Sequence, residues 1–327
     1  MTVMSMLESI NSALAEEMAR DSRVLVLGED VAVNGGVFRA TDGLLSQFGK
    51  DRVFDTPLSE TAIIGSSIGL AMAGFVPVPE IQFLGFTFQA YHQIVGQLSR
   101  MRFRSQGRFS CPLTIRAPFG AGVRSPELHS DSVEMLYAHV AGLKVAMPAT
   151  AADAKGMLTA AIRDPDPVLF LEPIRGYRSI KDDVPEGEHV VPLGQARLAR
   201  EGDDLVVIAW SYMVTIAVRA AERVAAEDGL SVAVLDLRCV SPLDVDSIVR
   251  IVEKTGRVVV VHEASKTGGF AGEVIATIQE EVFYSLEAPV ARVTGWDTPL
   301  PQGALEDSYI PNEDRVVAAI RATMAAT

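Results

Sequence analysis

The stretch Arg52-Val53-Phe54-Asp55-Thr56-Pro57-Leu58-Ser59-Glu60 opens onto a run, Thr61 to Pro79, in which no residue carries a charge, before the chain reaches Glu80. Arg52–Asp55 reads as a short strand, Ala62–Ala73 as a helix and Val76–Glu80 as a second strand. Strand, helix, strand is the unit of a parallel sheet, because a crossover has to carry the chain back before the next strand can start in the same direction. By length alone the uncharged run suggests a membrane span. It contains Gly65, Ser66, Ser67, Gly69, Gly74, Pro77 and Pro79, however, and reads instead as a buried helix followed by a strand.

Glu60 is the carboxylate at the mouth of that run. Desolvation on one side is expected to raise its pKa and let it act as a proton donor near neutrality. The same residues also read as a plain helix start, with Thr56-Pro57 or Ser59 opening the helix and an acid favoured in its first turn by the dipole.

Working outward, Val24–Leu27, Leu113–Arg116, Lys144–Met147 and Val168–Leu171 read as further strands. Met6–Arg20, Phe88–Arg104 and Ala152–Arg163 read as helices. The alternation predicts an α/β fold with a mostly parallel sheet covered on both faces. Tyr177 to Pro192, polar and proline-bearing, interrupts the pattern and reads as a linker. The alternation then restarts with strands Leu205–Trp210, Val232–Leu237, Val258–Val261 and Val290–Thr294, and with helices near Met213–Glu227, Leu243–Lys254, Gly272–Phe283 and Glu313–Met324. Ser241 is the expected cap of the helix near Leu243–Lys254, with Pro242 in its first turn. The expected division is a domain over residues 1–180, a linker over 181–195 and a smaller α/β domain over 196–327.

The chain has 327 residues, 48% of them hydrophobic and 22% charged, with a formal charge of −13. Those values fit a globular protein of about two domains and argue against a nucleic-acid binder or a protein adhering to anionic membranes. The N-terminus carries Glu8, Glu16 and Glu17 and lacks the pattern of a signal peptide. Cys111 and Cys239 are the two cysteines, in no metal-like spacing, and a cytoplasmic location is expected.

Ligands of open parallel sheets gather beyond the carboxyl ends of the strands. The segments there are Gly28-Glu29-Asp30, Asp55 to Glu60, Gln82 to Phe86, Pro118 to Asp131, and His262-Glu263. Glu60 and Gln82 are expected at adjacent sheet ends, sharing a cleft, although an amide such as Gln82 also serves simply to bond a neighbouring loop. His129, in the long glycine-bearing loop, can donate or accept protons near neutral pH, or it can cap the helix that follows. His92, His139 and His189 are scattered and form no metal-binding pattern. Gly35-Gly36 does not match a phosphate-loop spacing, and Arg100, Arg102, Arg104 and Arg108 read as a solvated helix end.

The ordered set Gly28-Glu29-Asp30-Val31, Gly35-Gly36-Val37-Phe38, Asp55-Thr56-Pro57-Leu58-Ser59-Glu60, Glu80-Ile81-Gln82-Phe83 and Leu128-His129-Ser130 resembles the beta subunits of thiamine-diphosphate-dependent 2-oxo acid dehydrogenases. The similarity continues through Ala141 to Val145, Asp153 to Gly156, Ala161 to Asp164, Lys254 to Arg257 and Leu286 to Val290, and so covers nearly the whole chain. The resemblance implies a transketolase-like pyrimidine-binding domain followed by a transketolase C-terminal-type domain. It implies that Glu60 hydrogen-bonds a ring nitrogen of the cofactor's aminopyrimidine, promoting the form that removes the thiazolium proton, and that His129 assists at the reacting centre. Leu58, Gln82 and Phe86 match positions lining the aminopyrimidine pocket. A structural potassium site of relatives maps onto Leu113, Ala161, Ile162, Asp164 and Asp166, mostly through backbone carbonyls.

The family's Gly-Asp-Gly segment followed by asparagines, which holds magnesium and the diphosphate, does not occur in this chain. In the family it belongs to the alpha subunit. The resemblance therefore implies an α₂β₂ heterotetramer with a shared cofactor site, a chain inactive alone, and docking to the lipoyl acyltransferase of a multienzyme complex. It leaves the 2-oxo acid open. Val123 to Asp131 looks like pyruvate-type subunits, whereas His262-Glu263-Ala264 with Thr267-Gly268-Gly269-Phe270 looks like branched-chain ones. Relatives with tyrosine in place of Phe86, or glutamine in place of Asp131, bear on the same choice. A catalytically silent assembly subunit and another transketolase-like enzyme are the competing readings.

Overall fold

The computed structural model describes residues 1–326. Its strands are β1 (Thr2–Ser5), β2 (Val24–Gly28), β3 (Val53–Asp55), β4 (Val76–Glu80), β5 (Thr114–Phe119), β6 (Lys144–Ala146), β7 (Val168–Pro173), β8 (Lys181–Val184), β9 (Arg197–Arg200), β10 (Leu205–Ala209), β11 (Val232–Asp236), β12 (Cys239–Ser241), β13 (Val258–Ser265) and β14 (Ala291–Gly295). Seven of them form one sheet in the order β12-β6-β7-β5-β4-β2-β3, and five form a second in the order β14-β13-β10-β11-β9. Each sheet is parallel except at one edge, where β12 runs antiparallel to β6 and β9 antiparallel to β11. The expected α/β architecture, mostly parallel and in two units, is the one observed.

The central strands of both sheets, β2, β4, β5, β7, β10, β11 and β13, are buried on both faces, and their alternate residues feed two cores. Val168 and Phe170 join one hydrophobic cluster with Met6, Ile10, Leu14 and Met18 of the helix Met6–Arg20. Leu169 and Leu171 join the other, with Ile63, Ile64 and Ile68 of the helix Glu60–Met72. The second sheet divides the same way, Leu205 and Val207 to the first cluster and Val206 and Ile208 to the second. Both cores therefore run through both sheets. The uncharged run is a buried helix and strand, and among the described residues no helix is long and apolar enough to cross a membrane.

Two expectations are corrected, and a third segment gains an element. The segment read as one helix over Phe88–Arg104 is a succession of short turns: a 3₁₀ helix Leu84–Ala90, a π-helical turn His92–Gln97, a 3₁₀ turn Leu98–Arg100 and an α-turn Met101–Arg104. Side chains compete there for the carbonyls a regular helix would use. Ser99 Oγ and Arg100 Nε donate to Val95 O at 3.0 and 3.2 Å, and Arg104 Nη2 donates to Gly96 O at 2.8 Å. Ser241 does not cap the next helix. It ends β12 in extended backbone, as a residue before proline prefers, and Asp244 caps the helix Val245–Thr255 by accepting from Ser247 N at 3.0 Å. The polar stretch Tyr177 to Pro192 contains a strand, since β8 pairs antiparallel with β1 and ties the chain's start to it.

Candidate active site

The carboxyl ends of four neighbouring strands, β5, β4, β2 and β3, carry the residues singled out in the sequence. Since β2 lies between β3 and β4, Glu60 and Gln82 do not occupy adjacent sheet ends, and Glu29-Asp30 stands between them. The ends of β3 and β5 are separated by three strand spacings, roughly 14 Å. The row can therefore accommodate an extended ligand better than a compact one.

Asp55, the last residue of β3, shapes the loop after β2 by accepting from Ala32 N at 2.7 Å and Val33 N at 3.3 Å. The chain then passes Leu58, which is 82% exposed despite its apolar side chain, and enters the helix Glu60–Met72 with Ser59 as cap residue. Glu60 is both the first residue of that helix and a buried carboxylate, 8% exposed. It sits where the helix dipole favours an anion, as the helix-start reading expects. Glu29 is buried beside it. Burial, then the charges of Glu60 and Asp30, hold the Glu29 carboxyl above the usual carboxylate range, and its Oε1 has no partner.

Gln82 is half-buried and reaches Asp30 Oδ2 at 3.4 Å. It does what an amide bonding a neighbouring loop would do, and does so at the edge of the Glu29–Glu60 pair. Phe83 and Phe86 follow, with ring centroids 5.3 Å apart, and the His129 ring packs on both at 4.5 and 4.9 Å. His129 Nδ1 lies 2.8 Å from Glu127 O. An N–H at Nδ1 donating to that carbonyl leaves Nε2 as the free acceptor. Glu60 with Glu29, Gln82 with Asp30, and His129 with Phe83 and Phe86 thus form three contiguous groups along one sheet edge.

Beneath this edge lies a buried charge cluster. The β4–β5 ladder registers Glu80 against Arg116. Arg116 Nη1 reaches Glu80 at 2.7 Å, while Nε and Nη2 grip Glu172 at 2.7 and 2.9 Å. Tyr177 Oη donates to Glu172 as well. Burial pushes the Glu80 carboxyl up and Arg116 opposes that shift. Burial alone would lower Arg116, but Glu172 and Glu80 hold it above the ordinary arginine range.

The residues carried over for a cation meet where the helix Ala151–Arg163 ends. Leu113 O accepts from Val168 N at 3.0 Å, and Ala161 O accepts from Asp164 N at 3.2 Å. Asp164 pairs with Lys144 and accepts from Asp166 N at 2.9 Å, and Asp166 pairs with Arg102. Both carboxylates are engaged by basic side chains, so a cation held by Leu113, Ala161, Ile162, Asp164 and Asp166 would depend on main-chain oxygens. Among the described residues no group of three or more His, Cys, Asp or Glu side chains is arranged to hold a metal.

Glu29 stands at a sheet end without a sequence mark as a site residue; Phe83 carries no such mark either, nor does Glu306, which accepts from two amides of the His129 loop. Glu29 and Phe83 were signalled by standing next to marked positions. Nothing local signals Glu306.

Residues 2–179 match the model of the transketolase pyrimidine-binding domain, and residues 194–316 that of the transketolase C-terminal domain. The pyruvate dehydrogenase E1 component subunit beta of Bacillus subtilis (strain 168) is 51% identical over 321 residues, 98% of each chain. The chain belongs to the E1 beta-subunit family. This is a family of thiamine-dependent 2-oxo acid dehydrogenases. The E1 beta subunit of Staphylococcus epidermidis (strain ATCC 12228) is 48% identical over 324 residues, 99% of each chain. A solved structure described as a split gene transketolase, an inactive beta4 tetramer, superposes with a TM-score of 0.81 at 23% identity over 99% of each chain, a likeness of fold.

Proposed function

We propose that this chain is the beta subunit of a 2-oxo acid dehydrogenase decarboxylase component, catalytic only when an alpha subunit completes its site. The observation that carries this reading is the Glu60 carboxylate, 8% exposed at a helix N-terminus, beside Glu29, whose Oε1 has no partner, and in line with Gln82, Phe86 and His129. A flat aminopyrimidine fits such a place. Its faces suit Leu58 and Phe86, and a ring nitrogen suits a buried carboxyl. Thiamine diphosphate, when bound, supplies the electron sink that lets carbon dioxide leave a 2-oxo acid. Glu60 holds or gives a proton at its carboxyl oxygen toward that ring, Leu58 covers one side, and His129 presents Nε2 toward the reacting end.

The diphosphate and its magnesium are assigned to the alpha subunit, in an α₂β₂ assembly that passes its acyl group to the lipoyl acyltransferase. Potassium at the Ala161–Asp166 turn belongs to the same proposal, as does the division into residues 1–180, 181–195 and 196–327. Two buried free thiols, Cys111 and Cys239, suit a reducing compartment such as the cytoplasm. The relatives' names favour pyruvate among 2-oxo acids, and branched 2-oxo acids stay in the test.

The test is carbon dioxide release from pyruvate and branched 2-oxo acids with thiamine diphosphate and magnesium, for the chain alone, for the chain with its alpha partner, and for that pair carrying Glu60→Gln. Release only by the pair, reduced about 10²–10⁴-fold by the substitution, is the expected result. A well-assembled pair that releases none from any acid overturns the proposal.

A further inference from the structure

The loop that carries His129 is anchored by the other half of the molecule. It enters the left-handed region at Gly120 (φ 88°), Gly122 (φ 109°), Arg124 (φ 55°) and Leu128 (φ 67°), and two of those four residues are not glycine. Such a backbone persists only where its surroundings hold it. Its own side chains contribute two links within the loop, Ser130 Oγ to Ser125 Oγ at 3.1 Å and His129 Nδ1 to Glu127 O at 2.8 Å.

Three carboxylates from beyond residue 260 hold it from outside: Asp307 pairs with the exposed Arg124 side chain at 2.7 Å, and two buried ones, Glu263 and Glu306, reach its main chain. Glu263, in β13, accepts from Ala121 N and from Ser132 Oγ, the latter at 3.0 Å, and so fastens both ends of the loop. Glu306 accepts from Gly122 N and, at 3.3 Å, from Arg124 N. Glu263 is 9% exposed and Glu306 is fully buried. Neither has a Lys, Arg or His nitrogen within 4.0 Å among the described residues; their hydrogen-bond partners are backbone N–H groups and, for Glu263, the Ser132 hydroxyl. A Cβ added at Gly120 would lie 3.2 Å from Glu263 Oε1, which shows how closely the loop is drawn onto that carboxylate. At its far end, a Cβ at Gly85 would lie 2.3 Å from Leu128 O, so the residue preceding His129 is seated against the segment that bears Phe83 and Phe86.

We propose that Glu263 and Glu306 are positioning residues: through the N–H groups of Ala121, Gly122 and Arg124 they set the loop conformation that lays the His129 imidazole on Phe83 and Phe86. The proposal rests on the reading of His129 as a group at the reacting centre. The second domain thereby takes part in a site to which it contributes no reacting atom.

The test uses the full chain assembled with its alpha partner and carrying Glu263→Ala, Glu306→Ala or the corresponding Gln variants, which keep the shape and one acceptor oxygen if an alanine variant fails to fold. Hydrogen exchange of peptides spanning 120–132 should accelerate at least about tenfold in the alanine variants, with β5 and β13 unchanged and protection partly restored by Gln. Turnover of 2-oxo acid should fall while affinity for thiamine diphosphate stays within about twofold, and Glu306→Ala should add little to the loss already caused by His129→Ala. Loop amides that stay protected in both alanine variants overturn the anchoring, and a loss that adds in full on His129→Ala overturns the link to His129. Exchange is read without turnover, so an assembly that decarboxylates nothing removes the functional reading and leaves the anchoring decided.

Discussion

Trp210 Nε1 donates to Glu134 Oε1 at 3.2 Å, joining the end of β10 to a helix of the first half through a bond with both side chains buried. The other carboxyl oxygen of Glu134 has no partner. Burial pushes this carboxyl up to about 7, with Glu263 adding to the rise and the Trp210 bond opposing it.

A carboxyl raised in the folded state binds its proton where the unfolded chain has released it, so stability falls as pH rises from about 4.5 to about 7 and levels off above. Glu134→Gln keeps an acceptor for Trp210 and cannot ionise. The expected outcome is that the stability of the variant relative to the parent is greater at pH 8 than at pH 5 by about 2–3 kcal/mol. Urea unfolding at the two values checks it, and a difference between the proteins that does not change with pH sinks the argument.

His262 supplies the opposite slope. It is fully buried, stacked on Trp210 at 5.2 Å, with no partner for either ring nitrogen, and burial followed by the charge of Arg292 lowers its pKa to about 4. Between about pH 6.5 and 4 the unfolded chain takes up a proton that the folded one refuses, so stability is lost as pH falls through that window. His262→Phe, which keeps a ring on Trp210, should lose about 2 kcal/mol less than the parent between pH 7 and pH 5. Equal losses in the two proteins would show that His262 does not resist protonation in the folded state.

Arg116 is the third case, and here the charge is paired. Arg116→Met leaves Glu80 and Glu172 facing each other in the interior and should destabilise the chain by about 3–5 kcal/mol. Adding Glu80→Gln and Glu172→Gln to the same chain should recover most of that loss, because the penalty comes from uncompensated charge rather than from missing attraction. Thermal and urea unfolding of the single and triple variants measure it. A triple variant no better than the single one would place the cost in packing instead.

How much of this was legible in the sequence follows from how local each signal is. Glu60, Gln82, Phe86 and His129 lie in the connections that leave β3, β4 and β5, and the topology of a parallel sheet gathers those connections at one end. The order of β2, β3 and β4 is a tertiary matter, and the adjacency expected of Glu60 and Gln82 failed there. Ser241-Pro242 carries the chemistry of a helix start, but its pairing with β6 decides its conformation, and β6 lies nearly a hundred residues earlier. Lys181–Val184 has the composition of a linker and becomes a strand only because Thr2–Ser5 lies beside it. Glu306 bonds a loop 184 residues away, and no window of sequence contains both.

The edge strand β12 has a consequence for biosynthesis. The seven-stranded sheet takes that edge from Cys239–Ser241, whereas all its other strands are finished by Pro173. A nascent chain on the ribosome therefore carries β6 with an open edge until the tripeptide arrives. During that interval a strand from a second nascent chain is a chemically acceptable substitute, which makes this edge the place where crowding and slow translation would direct misassembly.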